Sequence, residues 1–172
     1  MLHLPPGWNG VHPFVVHIPI ILLLVAPCFV IVALGLFGTI RRLFLATALT
    51  LMVLGTAMTF VAVATGEAAM KVVGSTPAIA VAVEEHRALA ETTRELFIVL
   101  TLGFAALLFA QRLWGRELES RIHTVLLAVY LLFYASGALF LVHTALQGGQ
   151  VVRELEAKTT ATYQLPGKED AR

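Results

Sequence analysis

Residues 13–40 read PFVVHIPIILLLVAPCFVIVALGLFGTI and contain no Asp, Glu, Lys or Arg. A helix that crosses the hydrocarbon core of a bilayer needs about 20 mostly apolar residues, and this stretch exceeds that length. Three further stretches also lack these charged residues: Leu43–Gly66, Leu96–Gln111 and Ile122–Val152. Backbone groups in lipid must hydrogen-bond within the protein, and the period-2 alternation of barrel strands is absent. The sequence therefore predicts four transmembrane helices.

The predicted fold is all-α, an integral membrane four-helix bundle over residues 1–152 followed by a polar external tail at 153–172. The third apolar stretch is short, but Leu113 and Trp114 extend it at one end and a helical start near Thr93 extends it at the other. We therefore expect the spans to cover about 13–40, 43–66, 93–114 and 122–148.

The composition favours lipid as the main solvent of this chain. Of its 172 residues, 58% are hydrophobic and 13% are charged, and the mean hydropathy is +0.84. A soluble domain carries roughly 25% charged residues. The single cysteine, the net charge of +1 and the lack of a basic patch exclude a secreted disulfide scaffold and a nucleic-acid-binding protein. The lipid bilayer is the expected partner, and nucleic acid is not.

The arginines predict the orientation of the bundle. The first short turn contains Arg41 and Arg42, the second short turn is also arginine-rich, and the segment before Pro13 contains no Lys or Arg. Basic residues are enriched in cytoplasmic loops, so both short turns are expected inside and both termini outside. The N-terminal segment lacks a basic region and an A-x-A cleavage site, so the first span is expected to insert as an uncleaved anchor.

The long external connection contains two helix-start signals. Ser75-Thr76-Pro77 provides a cap and a proline at the first helical position. Thr92-x-x-Glu95 has the pattern of a capping box. We therefore expect a short interfacial helix at about 77–90, a break, and then the third span. The apolar face of that helix would lie on the bundle and bring His86 with it.

Four of the six histidines converge on the predicted outer side. His12 lies at the mouth of the first span, and His17 lies about 6 Å into that helix, counted from Pro13. His143 reaches a similar depth in the fourth span, and His86 lies over them on the interfacial helix. Polar residues inside membrane helices usually face the bundle and mark functional sites. The four histidines are therefore the candidate site.

Haem is the ligand that this histidine pattern favours. Bundle cores hold cofactors between facing helices, and histidine is a common axial ligand of haem iron. We expect one or two b-type haems as cofactors: His17 with His143 for one, His12 with His86 for a second, or a single haem between His17 and His86. No C-x-x-C-H motif is present, which excludes covalent attachment.

Other residues have predicted supporting roles at the same site. The propionates of a haem would point outward, towards the basic side chains of Lys71, Arg87, Arg94 and Arg153. Gly55 and Gly66 belong to a stripe of small residues on the second span, which allows another helix or a flat cofactor to approach closely.

Three functions remain open at this point. The first is an electron-transfer subunit of an oxidoreductase, which carries electrons between an external, periplasmic donor and the quinone pool or a larger partner complex. The second is a structural or assembly subunit whose histidines only form hydrogen bonds. The third is a zinc or copper protein that uses His12, His17 and His86 with Glu84 or Glu85. No catalytic signature indicates an enzyme in its own right.

Four short motifs resemble a bacterial family of small four-helix membrane proteins with a domain of unknown function. They are His12-Pro13-x-x-x-His17-x-Pro19, Thr65-Gly66, His86 and Gly148-Gly149-x-Val151-Val152. The resemblance spans about residues 11 to 155 and implies the fold and the histidine pattern. The expected location is the bacterial inner membrane, with both termini in the periplasm. Members often have a tyrosine and a histidine after the glycine pair, where this chain has Arg153-Glu154-Leu155.

Overall fold

The computed structural model describes residues 11–70, 77–114 and 120–163, in which all regular secondary structure is α-helical. The helices are α1 (His12–Val15), α2 (His17–Leu34), α3 (Gly38–Met70), α4 (Pro77–Trp114) and α5 (Ser120–Tyr163). Four segments are long and apolar enough to cross a membrane: His12–Leu34, Gly38–Met70, Ala80–Phe109 and Arg121–Glu154. The predicted all-α fold with four membrane spans is confirmed, and the chain is a membrane protein.

The bundle has a narrow core and an apolar exterior. Aromatic rings fill its centre: Phe97 packs edge-on against Tyr134 at 5.6 Å between ring centroids, and Phe104 stacks on Tyr130 at 5.0 Å. Outside this core, large apolar side chains such as Phe37 are almost fully exposed. A soluble monomer rarely exposes contiguous apolar surface on this scale. Lipid tails therefore contact the outer faces of the helices.

Two glycines allow the helices to pack closely in pairs. A Cβ atom at Gly55 of α3 would lie 2.7 Å from the Leu23 side chain of α2. In the same way, a Cβ at Gly137 of α5 would lie 2.6 Å from Leu100 of α4. Only glycine accommodates these neighbours, so α2 with α3 and α4 with α5 form two tightly packed hairpins.

A proline in α2 is compensated by a tyrosine from α5. Pro27 has no N–H, so the Leu23 carbonyl four residues earlier lacks its usual helical donor. The Tyr134 hydroxyl donates a hydrogen bond to that carbonyl at 2.7 Å. The same contact gives the buried tyrosine the partner that its hydroxyl needs, and it joins the two hairpins at mid-bundle.

The turn between α2 and α3 lies earlier than the sequence predicts. The helix α2 ends at Leu34, and α3 begins at Gly38, which has a positive φ of 61°. Arg41 and Arg42 therefore lie in the first turn of α3 and not between two helices. The predicted boundary rests on the charges, whereas the chain reverses before Gly38, whose positive φ glycine adopts readily.

The predicted break before the third span is absent, because α4 continues from Pro77 to Trp114. The Thr92 hydroxyl donates to the Ala88 carbonyl at 2.9 Å, and the Thr93 hydroxyl donates to the Leu89 carbonyl at 2.7 Å. Both threonines thus bond backwards within a helix, which is the alternative to capping a new one. The expected interfacial helix is the first part of α4.

The helix of the fourth predicted span also extends beyond its predicted end. The helix α5 passes through Gly148-Gly149 and continues to Tyr163, so the first part of the predicted polar tail at 153–172 is helical. A glycine inside a helix costs only about 1 kcal/mol relative to alanine, which the good helix formers around the pair offset. Residues 164–172 lie outside the described part of the chain.

Candidate functional site

A cavity of about 520 Å³ lies where α1 begins and α3 ends. This volume is within the roughly 300–1,000 Å³ of small-molecule sites. All five helices line the cavity, mostly with apolar side chains, and we call it the histidine cavity. Its lining includes His12, Val16, His17, Ile20, Thr59, Ala62, Gly66, Val83, His86, Arg87, Thr93, Leu141, Thr144 and Gly148.

His12 is held in one orientation by Thr65 and Gly66 of α3. The Thr65 hydroxyl oxygen lies 3.0 and 2.9 Å from the carbonyl oxygens of Val61 and Ala62, to which it donates its proton. The same oxygen lies 3.0 Å from His12 Nδ1, and because its proton already goes to the two carbonyls, we assign the Nδ1–H tautomer to the ring. His12 Nε2 therefore carries the lone pair. A Cβ at Gly66 would lie 3.0 Å from His12 Cε1, so a larger residue there would push the ring by a few tenths of an ångström.

His86 occupies the matching position in the second hairpin. Its ring packs against Gly148 of α5, where a Cβ would lie 2.9 Å from Cε1. The ring nitrogen Nδ1 is buried and has no hydrogen-bond partner within the described residues. His86 and His12 are near enough to interact electrostatically. The structure thus brings together the two histidines that the sequence analysis considered for a second haem.

The two hairpins repeat one arrangement of glycine and histidine. In α3, Gly66 lies eleven positions after Gly55, which packs against Leu23, and Gly66 contacts the His12 ring. In α5, Gly148 lies eleven positions after Gly137 and contacts the His86 ring. Each hairpin therefore supplies one histidine and the glycine beneath it.

The other two candidate histidines differ from this pair. His17 borders the histidine cavity, but its side chain is largely exposed and its Nδ1 donates to the Pro13 carbonyl at 2.6 Å. His143 is exposed and does not line the cavity. Its neighbour Thr144 is buried against Thr93, with 2.8 Å between the hydroxyl oxygens. Since adjacent helical residues point about 100° apart, His143 is turned outward, and the cavity does not unite it with His17.

The candidate basic residues are also separated by the fold. Arg87 lines the cavity, where its guanidinium pairs with Glu67 and Glu91 at 3.2 Å each. Arg94 lies over the ring of Phe60, 5.2 Å from its centroid. Arg153 is exposed and outside the cavity lining, and Lys71 lies outside the described residues. Among the described residues, Arg87 is therefore the predicted propionate partner that borders the cavity.

A bare zinc or copper site is not formed by the described residues. No group of three or more His, Cys, Asp or Glu side chains among them could hold a metal ion. Glu84 and Glu85, the predicted carboxylate ligands, are exposed on α4. Two imidazoles alone suit a metal whose other ligands come from a cofactor, as the porphyrin nitrogens do in haem.

Sequence reasoning noted Thr65 and Gly148 but gave neither a role at the site. Thr65 fixes the His12 ring, and Gly148 carries the His86 ring. The sequence signals for these roles are Gly66 and Gly148 near the ends of the hairpins, and the hydroxyl residue Thr65 before Gly66. A hydrogen bond that spans 53 residues leaves no periodic pattern.

Residues 9–161 match the model of a protein family described as Predicted membrane protein (DUF2231). The chain belongs to this family. The resemblance drawn from the histidine and glycine motifs is thereby confirmed. No curated protein and no solved structure matches the chain. The family description states a membrane location and no activity.

Proposed function

We propose that this chain is a membrane b-type cytochrome subunit that binds one haem in the histidine cavity, with His12 and His86 as axial ligands. One observation carries the proposal. Two imidazoles from different hairpins line the same apolar cavity, and each packs closely on a glycine of a neighbouring helix. At His12, the hydrogen bond to Thr65 also leaves Nε2 as the nitrogen with a free lone pair.

The surroundings of the two histidines suit a haem. The lining is mostly apolar, as a porphyrin face requires. The volume of the cavity is within the range of small-molecule and cofactor sites. Arg87 at the edge of the cavity would meet a propionate, in competition with Glu67 and Glu91. Haem supplies a one-electron couple when bound, and the protein supplies the ligands, the low dielectric and the orientation.

Electron transfer is the function that this ligation favours. Two axial histidines leave no open position on the iron for oxygen chemistry. The positive-inside pattern supports an orientation in which the histidine cavity faces the periplasm of a bacterial inner membrane and both termini lie outside. The haem would receive electrons from a periplasmic redox protein and pass them to a quinone or to a larger oxidoreductase subunit.

The test is spectroscopic. Purified in mild detergent after expression with haem available, the protein is expected to show a Soret band and the reduced bands of low-spin haem. His12→Ala and His86→Ala remove one ligand each, and each is expected to lose the haem or to leave it high-spin. His143→Ala is the matched control, because this exposed histidine lies outside the cavity lining, and it is expected to keep the wild-type spectrum.

Two outcomes contradict the proposal. Folded wild-type protein without a Soret band would show that the cavity does not take haem, and would favour the structural subunit. A spectrum that survives His12→Ala but is lost in His17→Ala or His143→Ala would show that the ligand pair is wrong.

A further inference from the structure

Two buried polar atoms close to the site have no hydrogen-bond partner within the described part of the chain. They are Nδ1 of His86 and Oε1 of Gln147. An amide oxygen only accepts hydrogen bonds, and an imidazole nitrogen donates when it carries the proton. Buried polar groups in native proteins are almost always paired. These two unpaired atoms are therefore chemically complementary.

The positions of these residues repeat an arrangement that is already complete at His12. There, Thr65 immediately precedes Gly66, the glycine under the ring, and its oxygen accepts from Nδ1. Gln147 immediately precedes Gly148, the glycine under the His86 ring. The residue before the glycine is thus a polar acceptor in both hairpins, hydroxyl in one and amide in the other.

We propose that Gln147 is the positioning residue of His86: its side-chain oxygen accepts a hydrogen bond from Nδ1–H and holds Nε2 towards the cavity. Neither atom is paired in the structure, so the contact requires rotation of the glutamine side chain towards the ring. The role in haem ligation rests on the function proposed above. Histidines that bind metals almost always donate their second N–H to such an acceptor, which orients the ring and raises its basicity.

The first experiment uses the haem-loaded protein. Gln147→Leu removes the acceptor, so haem transfer to excess apomyoglobin is expected to accelerate by roughly 10–100-fold. The midpoint potential is expected to become more positive, because a less basic ligand stabilises the ferric iron less. Gln147→Glu keeps an acceptor and adds charge, so it is expected to retain haem and shift the potential in the opposite direction.

The matched control is Gln150→Leu, the same substitution at an exposed position of the same helix. It is expected to keep the wild-type potential and transfer rate. A Gln147→Leu protein that behaves like this control would overturn the proposal. Equal shifts in both leucine variants would also overturn it, because they would report a general effect of the lost amide.

The second experiment needs no haem and separates the two proposals. Nitrogen NMR of ¹⁵N-histidine-labelled protein in detergent distinguishes the two neutral tautomers of each ring, and His86→Asn identifies the His86 signals. The wild type is expected to show the Nδ1–H tautomer at His86, and Gln147→Leu is expected to shift it towards Nε2–H. An unchanged tautomer overturns the hydrogen bond even in a protein that binds haem. A shifted tautomer in a protein without a Soret band overturns the haem function alone.

Discussion

At the scale of single residues, the glycines under the two histidines set the space that each ring occupies. A methyl group at Gly66 would lie 3.0 Å from His12 Cε1, and one at Gly148 would lie 2.9 Å from His86 Cε1. Both distances are far shorter than an ordinary carbon–carbon contact of about 3.5–4.0 Å. A methyl group at either position therefore requires the ring to shift by a few tenths of an ångström.

We therefore expect Gly66→Ala and Gly148→Ala to bind haem about tenfold more weakly, as outer-shell changes do at metal sites. The measurement is the Soret absorbance per mole of protein during haem titration. Gly103→Ala is the control, since a Cβ there meets no heavy atom within 4 Å. Equal affinities in all three variants would show that ring placement does not depend on these glycines.

At the scale of the helices, Pro27 and Tyr134 make the integrity of α2 depend on α5. Tyr134→Phe leaves the Leu23 carbonyl without its donor, and an unsatisfied buried group costs about 1–3 kcal/mol. In a Pro27→Ala background, the restored backbone N–H satisfies that carbonyl, so the same substitution is expected to cost less. Unfolding of all four variants in denaturant measures this coupling. Equal costs of Tyr134→Phe in both backgrounds would refute it.

The existence of the four helices follows from the sequence, but their ends and faces do not. Long apolar runs leave no alternative to helices in lipid. By contrast, Thr92 and Thr93 have the residue types of a helix start, and their hydroxyls bond backwards inside α4 instead. His143 has the depth of a ligand, but the packing of Thr144 turns it outward. The depth of a residue in the membrane can be counted along the sequence. The direction in which its side chain points depends on the contacts between helices.

At the scale of the molecule, charge separates the two ends of the bundle. Arg41 at the start of α3 reaches His123 and Thr124 at the start of α5, at 3.2 and 3.1 Å, and Arg42 and Arg121 lie beside them in the sequence. The histidine cavity lies at the ends where α1 begins and α3 finishes. The positive-inside rule predicts that the arginine end faces the cytoplasm.

Reporter fusions test this orientation. Alkaline phosphatase fused after Arg172 is expected to be active, because the positive-inside rule predicts an external C-terminus, and a fusion after Leu36, in the turn between α2 and α3, is expected to be inactive. Green fluorescent protein at the same two positions should give the reverse pattern. The opposite result at both positions would invert the bundle and place the cavity on the cytoplasmic side.

The contact between a histidine ring and a glycine, which occurs once in each hairpin, has a consequence for the assembly of the haem site. Each hairpin contains one complete half-site, His12 on Gly66 or His86 on Gly148, and neither half can ligate both faces of a haem. A site in which both histidines bind one haem would therefore form only after the hairpins have docked. A low-spin spectrum would therefore report that the two hairpins have docked, and the bound cofactor would link one hairpin to the other.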